Sequence, residues 1–187
     1  TLISSGNQDL FLAKYNSSGN FIWVKSMGGT SNEIATAIDI NENNEIFITG
    51  IYGYITFFQS FNMTSMGSED VFLAKFTTDG DCLWAKSIGG VNNDYVSDIV
   101  IDSDNNLVIV GNFYSLAYFN PDGGGSINSS SQYGCAFIAK YNSDGNYIWA
   151  KGMGGSWNDS GYGIAEDSKG NIYLCGTFQY IADFDPG

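Results

Sequence analysis

Histidine is absent from the 187-residue chain, lysine and arginine together number 7 against 20 aspartates and glutamates, and proline occurs twice. Each shortage excludes something. Without histidine there is no imidazole to bind a metal, to act as general base, or to form a Ser–His or Cys–His pair. Seven cations scattered along a chain of net charge −13 cannot build the phosphate-neutralising patch of a nucleic-acid binder, nor hold an anionic membrane surface. Two prolines exclude collagen-like and proline-rich linker classes. No apolar stretch reaches the roughly 18 residues of a transmembrane span, so direct membrane insertion is not expected. The three cysteines, Cys82, Cys135 and Cys175, are an odd number in unmatched places. They argue against a repeated disulfide framework or a metal site and read as buried free thiols. The opening Thr1-Leu2-Ile3 has no initiator methionine and no charged n-region, which gives the expectation that the chain starts inside a longer or processed product.

What is present is apolar and turn-rich. Hydrophobic residues make up 43% and aromatics 16%, too much for a disordered acidic tail, and glycine is 24 of 187, nearly twice the usual share of about 7%. Internal repetition decides the organisation. Phe11-Leu12-Ala13-Lys14 recurs as Phe72-Leu73-Ala74-Lys75 and as Phe137-Ile138-Ala139-Lys140. Trp23 is matched by Trp84 and Trp149, Gly28-Gly29 by Gly89-Gly90 and Gly154-Gly155, and Gly50 by Gly111 and Gly176. All four landmarks share the same spacings, 61 and then 65 residues. The chain 1–187 therefore reads as a single segment of three units, approximately 6–66, 67–131 and 132–187.

Within a unit the period is two. In the middle copy, Asp70 to Phe76, Cys82 to Ile88, Tyr95 to Ile101 and Leu107 to Phe113 are runs of β-formers, separated by Asp, Asn, Gly and Ser that close tight turns. Most runs carry apolar residues on both faces, as a sheet packed between two others requires. No helix of useful length is read. Four antiparallel strands recurring every 61–65 residues describe the blade of an all-β propeller.

WD40 and kelch signatures are absent. The pattern D-x-F-x-A-K-Y-x-x-x-G-x-x-x-W-x-K-x-x-G-G, met by Asp9 through Gly29, and the strand Gly170-Asn171-Ile172-Tyr173 with Gly176-Thr177-Phe178 resemble the bacterial seven-bladed β-propeller repeat (SBBP) family. The tail Ala182-Asp183-Phe184-Asp185-Pro186-Gly187 is similar to the family's usual continuation. The resemblance implies that a blade begins at the third run. The chain then holds the outer two strands of one blade, two complete blades and the inner two strands of a fourth, about three blade equivalents of a larger ring or of a ring completed by another copy. Cys135 stands where the pattern has Asp9 and Asp70, and the insertion from Pro121 through Ser131 is the longest expected loop and the one expected to be mobile.

Candidate residues carry a structural and a functional reading. Trp23, Trp84 and Trp149 suit sugar stacking, but a fixed place in every unit favours packing between sheets. Trp157 has no counterpart in the other copies, where Ser31 and Asn92 stand near it, and is the better candidate for contact with a partner. Lys14, Lys75 and Lys140 lie among apolar residues and need a counter-charge or carbonyl partners, so a structural pairing inside each blade is expected. Glu33, Asp94 and Asp159 follow each double glycine. They read first as Asx-type turn residues and second as a ring of carboxylates near the channel mouth that holds a hard cation such as Ca²⁺. Asp102-x-Asp104-x-Asn106 resembles the opening of a calcium loop, but Leu107 and Phe113 stand where an EF-hand needs Gly and Glu, and the segment reads as a hairpin turn.

No catalytic set assembles from these residues. The favoured function is a non-catalytic interaction module, for contact with proteins or glycans. The resemblance implies an extracellular or cell-surface setting in a secreted bacterial protein, with no cofactor required. The rival is a polysaccharide-acting enzyme on a propeller scaffold, which needs two carboxylates about 5–9.5 Å apart beside a sugar groove.

Overall fold

The computed structural model describes residues 1–129 and 133–185. Its described residues form strands and turns without any helix. The chain opens with β1 (Leu10–Tyr15) and β2 (Phe21–Gly29), paired antiparallel across a turn in which Asn16 Oδ1 accepts the amides of Ser18 and Asn20. The next unit runs through β3 (Glu33–Ile40), β4 (Ile46–Tyr52), β5 (Ile55–Phe58), β6 (Phe61–Thr64), β7 (Asp70–Phe76) and β8 (Cys82–Gly90). It is followed by β9 (Tyr95–Ile101), β10 (Leu107–Phe113), β11 (Leu116–Tyr118), β12 (Ser126–Asn128), β13 (Cys135–Tyr141) and β14 (Tyr147–Gly155). The chain ends with β15 (Ser160–Glu166), β16 (Ile172–Thr177) and β17 (Ala182–Asp183).

Two complete four-stranded antiparallel sheets result, β3-β4-β7-β8 and β9-β10-β13-β14. They are flanked by the outer pair β1-β2 and the inner pair β15-β16. The phase is the one expected from the repeat, and the fold is an all-β, propeller-type array of blades. Alternation along each strand supplies both of its faces. On β7, Val71 and Leu73 enter the core shared with the following sheet, whereas Phe72, Ala74 and Phe76 enter the core shared with the preceding one. On β10, Leu107 and Ile109 face back and Val108 faces forward. Each hydrophobic core thus lies between two sheets and belongs to neither alone.

Five short strands were not anticipated. The hairpin β5-β6 does not join its own unit's sheet but extends the preceding one, with Thr56 opposite Gly29 and Phe57 opposite Gly28. The hairpin β11-β12 does the same through Ala117 opposite Gly90, and β17 through Ala182 opposite Gly155. Every unit therefore stitches its backbone onto the outer strand of the blade before it. The second glycine of each pair permits this approach: a Cβ at Gly29 or Gly90 would lie 2.0 Å from the carbonyl oxygen of Ile55 or Leu116. The expected loop from Pro121 to Ser131 is corrected accordingly. Ser126–Asn128 is strand, because it pairs with β11, and residues 130 and 131 of that insertion lie outside the described residues.

Candidate interaction site

The repeated residues are part of the blade's own architecture. Trp23 packs over the turn of the next blade, where a Cβ at Gly80 would lie 2.9 Å from its Cη2; Trp84 lies over Gly145 in the same way and beside Phe47, with ring centroids 6.2 Å apart. Trp149 packs on the core between the last two sheets. Lys75 Nζ lies 2.8 Å from Glu45 Oε1, and Lys140 Nζ 2.5 Å from Asp102 Oδ2, both across a single sheet. Burial pushes the Asp102 carboxyl up, but Lys140 and Asn106 outweigh it and hold the group below the usual carboxylate range. Lys14 departs from the expected pairing inside its blade. It donates to Thr78 O at 3.0 Å and Thr78 Oγ1 at 2.8 Å, in the neighbouring blade, because β1-β2 has no inner hairpin beside it to offer a carboxylate.

Glu33, Asp94 and Asp159 are buried beneath the crossing between blades. Each accepts the amide of the glycine four residues before it: Gly29 to Glu33 Oε2 at 2.8 Å, Gly90 to Asp94 Oδ2 at 2.6 Å, Gly155 to Asp159 Oδ2 at 2.6 Å. The second oxygen of Asp94 takes Tyr114 N–H and that of Asp159 takes Gln179 N–H, whereas the Glu33 Oε1 has no partner. Asp94 and Asp159 thus each fasten backbone amides of two segments, and Glu33 of one. The sequence reading missed the acidic partner of Asp94. Asp70 Oδ1 and Asp94 Oδ2 both lie over Gly89, each 2.9 Å from where a Cβ would stand. Burial pushes the Asp70 carboxyl up to about 6 and that of Asp94 to about 7, the second raised further by the charge of Asp70. In the third copy Cys135 takes the place of Asp70 and lies 3.0 Å from Ser129 Oγ. Cys175 is exposed, unlike the buried thiol expected, because β16 is the last strand of its sheet.

Trp157 is placed differently. Its indole stacks on Tyr133, with centroids 5.0 Å apart and planes 12° from parallel, and its other neighbour is Tyr180 at 5.3 Å. Trp157 remains 42% exposed and Tyr180 78%. Tyr180 stands in a left-handed turn at φ 59, a turn repeated at Tyr54 and Ser115, so the frame recurs while its side chains change. The corresponding trio is Ser68, Asn92 and Ser115 in the second copy and Asn7, Ser31 and Tyr54 in the first. In the second copy Asn92, Asn93, Tyr95, Tyr114 and Ser115 line an open cleft of about 340 Å³. Only the last copy fills this frame with three aromatic rings. Sequence reasoning singled out Trp157 but not Tyr133 or Tyr180, which lie 24 residues before and 23 after it.

Comparison with known proteins bears on the repeat that carries this trio. Residues 148–177 match the family described as SBBP, β-propeller repeat. The chain carries an SBBP β-propeller repeat. The match covers all but the first residue of β14 and runs through β16, the stretch that contains Trp157. Shifted back by 65 and a further 61 residues, it falls on 83–112 and 22–51, the same elements of the other two units. An uncharacterized WD repeat-containing protein of Acanthamoeba polyphaga mimivirus is 26% identical over 91% of the chain. Regulatory protein FlaEY of Caulobacter vibrioides is 31% identical over 59% of it. The chain spans 16% and 12% of the lengths of these two proteins.

Proposed function

We propose that this SBBP segment is a non-catalytic interaction module whose contact point is the Tyr133–Trp157–Tyr180 stack, acting at the cell surface or outside a bacterial cell on a protein or glycan. The observation that carries the reading is the aromatic trio itself: three rings on a frame that holds mostly small polar side chains in the other copies. Aromatic side chains with polar tips bring contact area and hydrogen-bonding capacity together, as recognition surfaces require. The low content of lysine and arginine and the acidic, Gly-rich composition support a secreted setting. No cofactor is invoked, since the buried carboxylates Glu33, Asp94 and Asp159 are engaged by backbone amides.

The polysaccharide-acting alternative would need a carboxyl pair open to a polymer. Asp70 and Asp94 have the raised proton affinity that such chemistry uses, but both are buried under Gly89. A glycan-array screen and a peptide-library screen of the full chain test the proposal together with a hydrolysis assay. Trp157→Ala is expected to weaken binding at least about tenfold, the order of effect expected of an exposed aromatic anchor. Polymer cleavage abolished by one carboxylate substitution would overturn the reading, as would binding indifferent to Trp157→Ala. Fractionation of the producing cells tests the location.

A further inference from the structure

The crossing between the two complete sheets carries side chains that the repeat does not explain. Its backbone frame is the same in all three copies: Glu33, Asp94 and Asp159 donate their amides to the carbonyls of Gln8, Glu69 and Gly134, at 2.7, 2.9 and 2.8 Å. The side chains on the frame differ. Glu69 corresponds to Gln8 and Gly134, Tyr95 to Ile34 and Ser160, and Tyr114 to Gly53 and Gln179. A residue needed to hold a blade together recurs with it, as the tryptophans and double glycines do.

In the second copy these side chains interlock. Asn93 Nδ2 donates to the Tyr95 hydroxyl at 2.8 Å and to Glu69 Oε2 at 3.3 Å, and the Tyr95 hydroxyl donates to the same Oε2 at 3.1 Å. Burial pushes the Tyr95 hydroxyl above its ordinary value, so it remains a donor in this triangle. The hydrogens of the triangle are thereby spent. The side-chain atoms it leaves without a partner among the described residues are acceptors, Glu69 Oε1 and Asn93 Oδ1. No ion pair among the described residues involves Glu69, which is half-buried. The Tyr95 and Tyr114 rings stand at 81° to each other with centroids 6.4 Å apart. Asp94 Oδ1 accepts the Tyr114 amide at 3.3 Å, and the Tyr114 ring lies against Gly134, where a Cβ would be 3.1 Å from its Cζ. Both tyrosines and Asn93 line the open cleft of about 340 Å³, and Glu69 is one hydrogen bond from that lining.

We propose that this cleft takes a basic side chain, arginine or lysine, of a protein partner. Free acceptors beside an unpaired carboxylate suit a cation that donates N–H bonds, and tyrosine rings attract such a cation to their faces. The chain's net charge of −13 steers a basic partner toward it. At the rim, Asn92 and Ser115 offer polar groups to the partner's backbone. A neutral saccharide would leave the Glu69 charge without its complement. The proposal does not rest on the role given to Trp157.

NMR titration of the full chain with an end-blocked Gly-Gly-Arg-Gly-Gly peptide tests it. Shifts are expected at Glu69, Asn93, Tyr95 and Tyr114, with affinity at least about tenfold higher than for the same peptide carrying citrulline, the neutral isostere of arginine. Glu69→Gln keeps an oxygen for the Asn93 and Tyr95 hydrogens while removing the charge, and is expected to weaken arginine-peptide binding at least about tenfold. Asp79→Asn, the same charge change at an exposed turn, is expected to alter it by less than about twofold. Tyr114→Phe is expected to bind as the parent does and Tyr114→Leu at least about threefold more weakly, since only the second removes the ring. Binding that persists in Trp157→Ala keeps this site distinct from the aromatic trio. Equal binding of the citrulline and arginine peptides, equal effects of Glu69→Gln and Asp79→Asn, or loss of binding in Trp157→Ala would overturn the proposal. So would free butylammonium, methyl glucoside or Ca²⁺ binding the cleft as tightly as the arginine peptide.

Discussion

Phe11 and Phe72 occupy the same place in the repeat, follow the same pattern and precede the same Leu-Ala-Lys sequence, yet one faces solvent and the other is fully buried. The contrast between the terminal half-sheets and the two complete sheets shows that burial in this protein belongs to neighbours. In the complete blades β4, β7, β10 and β13 have a pairing partner on each edge, and the outer strands β8 and β14 have a strap across the second edge. The half-sheets have the same side chains and half the neighbours, as a solenoid-like array with nearest-neighbour energetics requires.

The sharpest way to break this comparison is to remove the same side chain in both settings. Phe72→Ala is expected to cost about 3–5 kcal/mol by denaturant unfolding, and Phe11→Ala about 0.5 kcal/mol or less. Equal costs would mean that the N-terminal sheet finds cover the structure does not show. Tryptophan gives a second version. Trp84→Ala removes a ring packed between blades and is expected to cost about 3–5 kcal/mol, against about 1 kcal/mol for Trp157→Ala, which loses two ring contacts at the surface.

The second and third copies sharpen the comparison further, because one holds Asp70 beside Asp94 and the other has Cys135 at the same position. Both raised carboxyls bind protons more tightly in the folded state, at about 6 and about 7, than their ordinary value of 3.8. Their contribution is therefore greatest at acidic pH and is lost as pH rises through 6 and 7. The melting temperature is expected to be higher at pH 5 than at pH 8, and Asp70→Cys, which copies the third unit, is expected to flatten that slope. A melting temperature that rises toward pH 8 would contradict the assignment. The smallest expected effect is none. Chelation of divalent cations leaves the melting temperature unchanged if Glu33, Asp94 and Asp159 serve only backbone amides. A Ca²⁺-dependent rise lost in Asp94→Asn would return the ion-site reading.

Much of the array was legible because its signals are local. Alternation at period two marked the main strands, Asn, Asp and Gly marked their turns, and the shared spacing of the Phe-Leu-Ala-Lys, Trp and Gly-Gly landmarks fixed the phase, including which half of a blade stands at each end. The straps were not legible. Ile55–Phe58 and Leu116–Tyr118 are too short to show a period, and the two residues each contributes to the preceding sheet are chosen by where the double glycine leaves room. The exposed trio was partly legible, since Trp157 stood out by having no counterpart.

The amino-acid sequence by itself determined that this protein is a stack of antiparallel sheets with apolar faces on both sides, because strand periodicity and turn chemistry act between residues a few positions apart. Tertiary structure alone decided that Lys14 reaches Thr78 while Lys75 and Lys140 find carboxylates, that Asp70 and Asp94 share one buried corner, and that Tyr133 and Tyr180 close around Trp157. Those outcomes depend on which blade lies next to which, and that adjacency is a property of the packed array that no single repeat encodes.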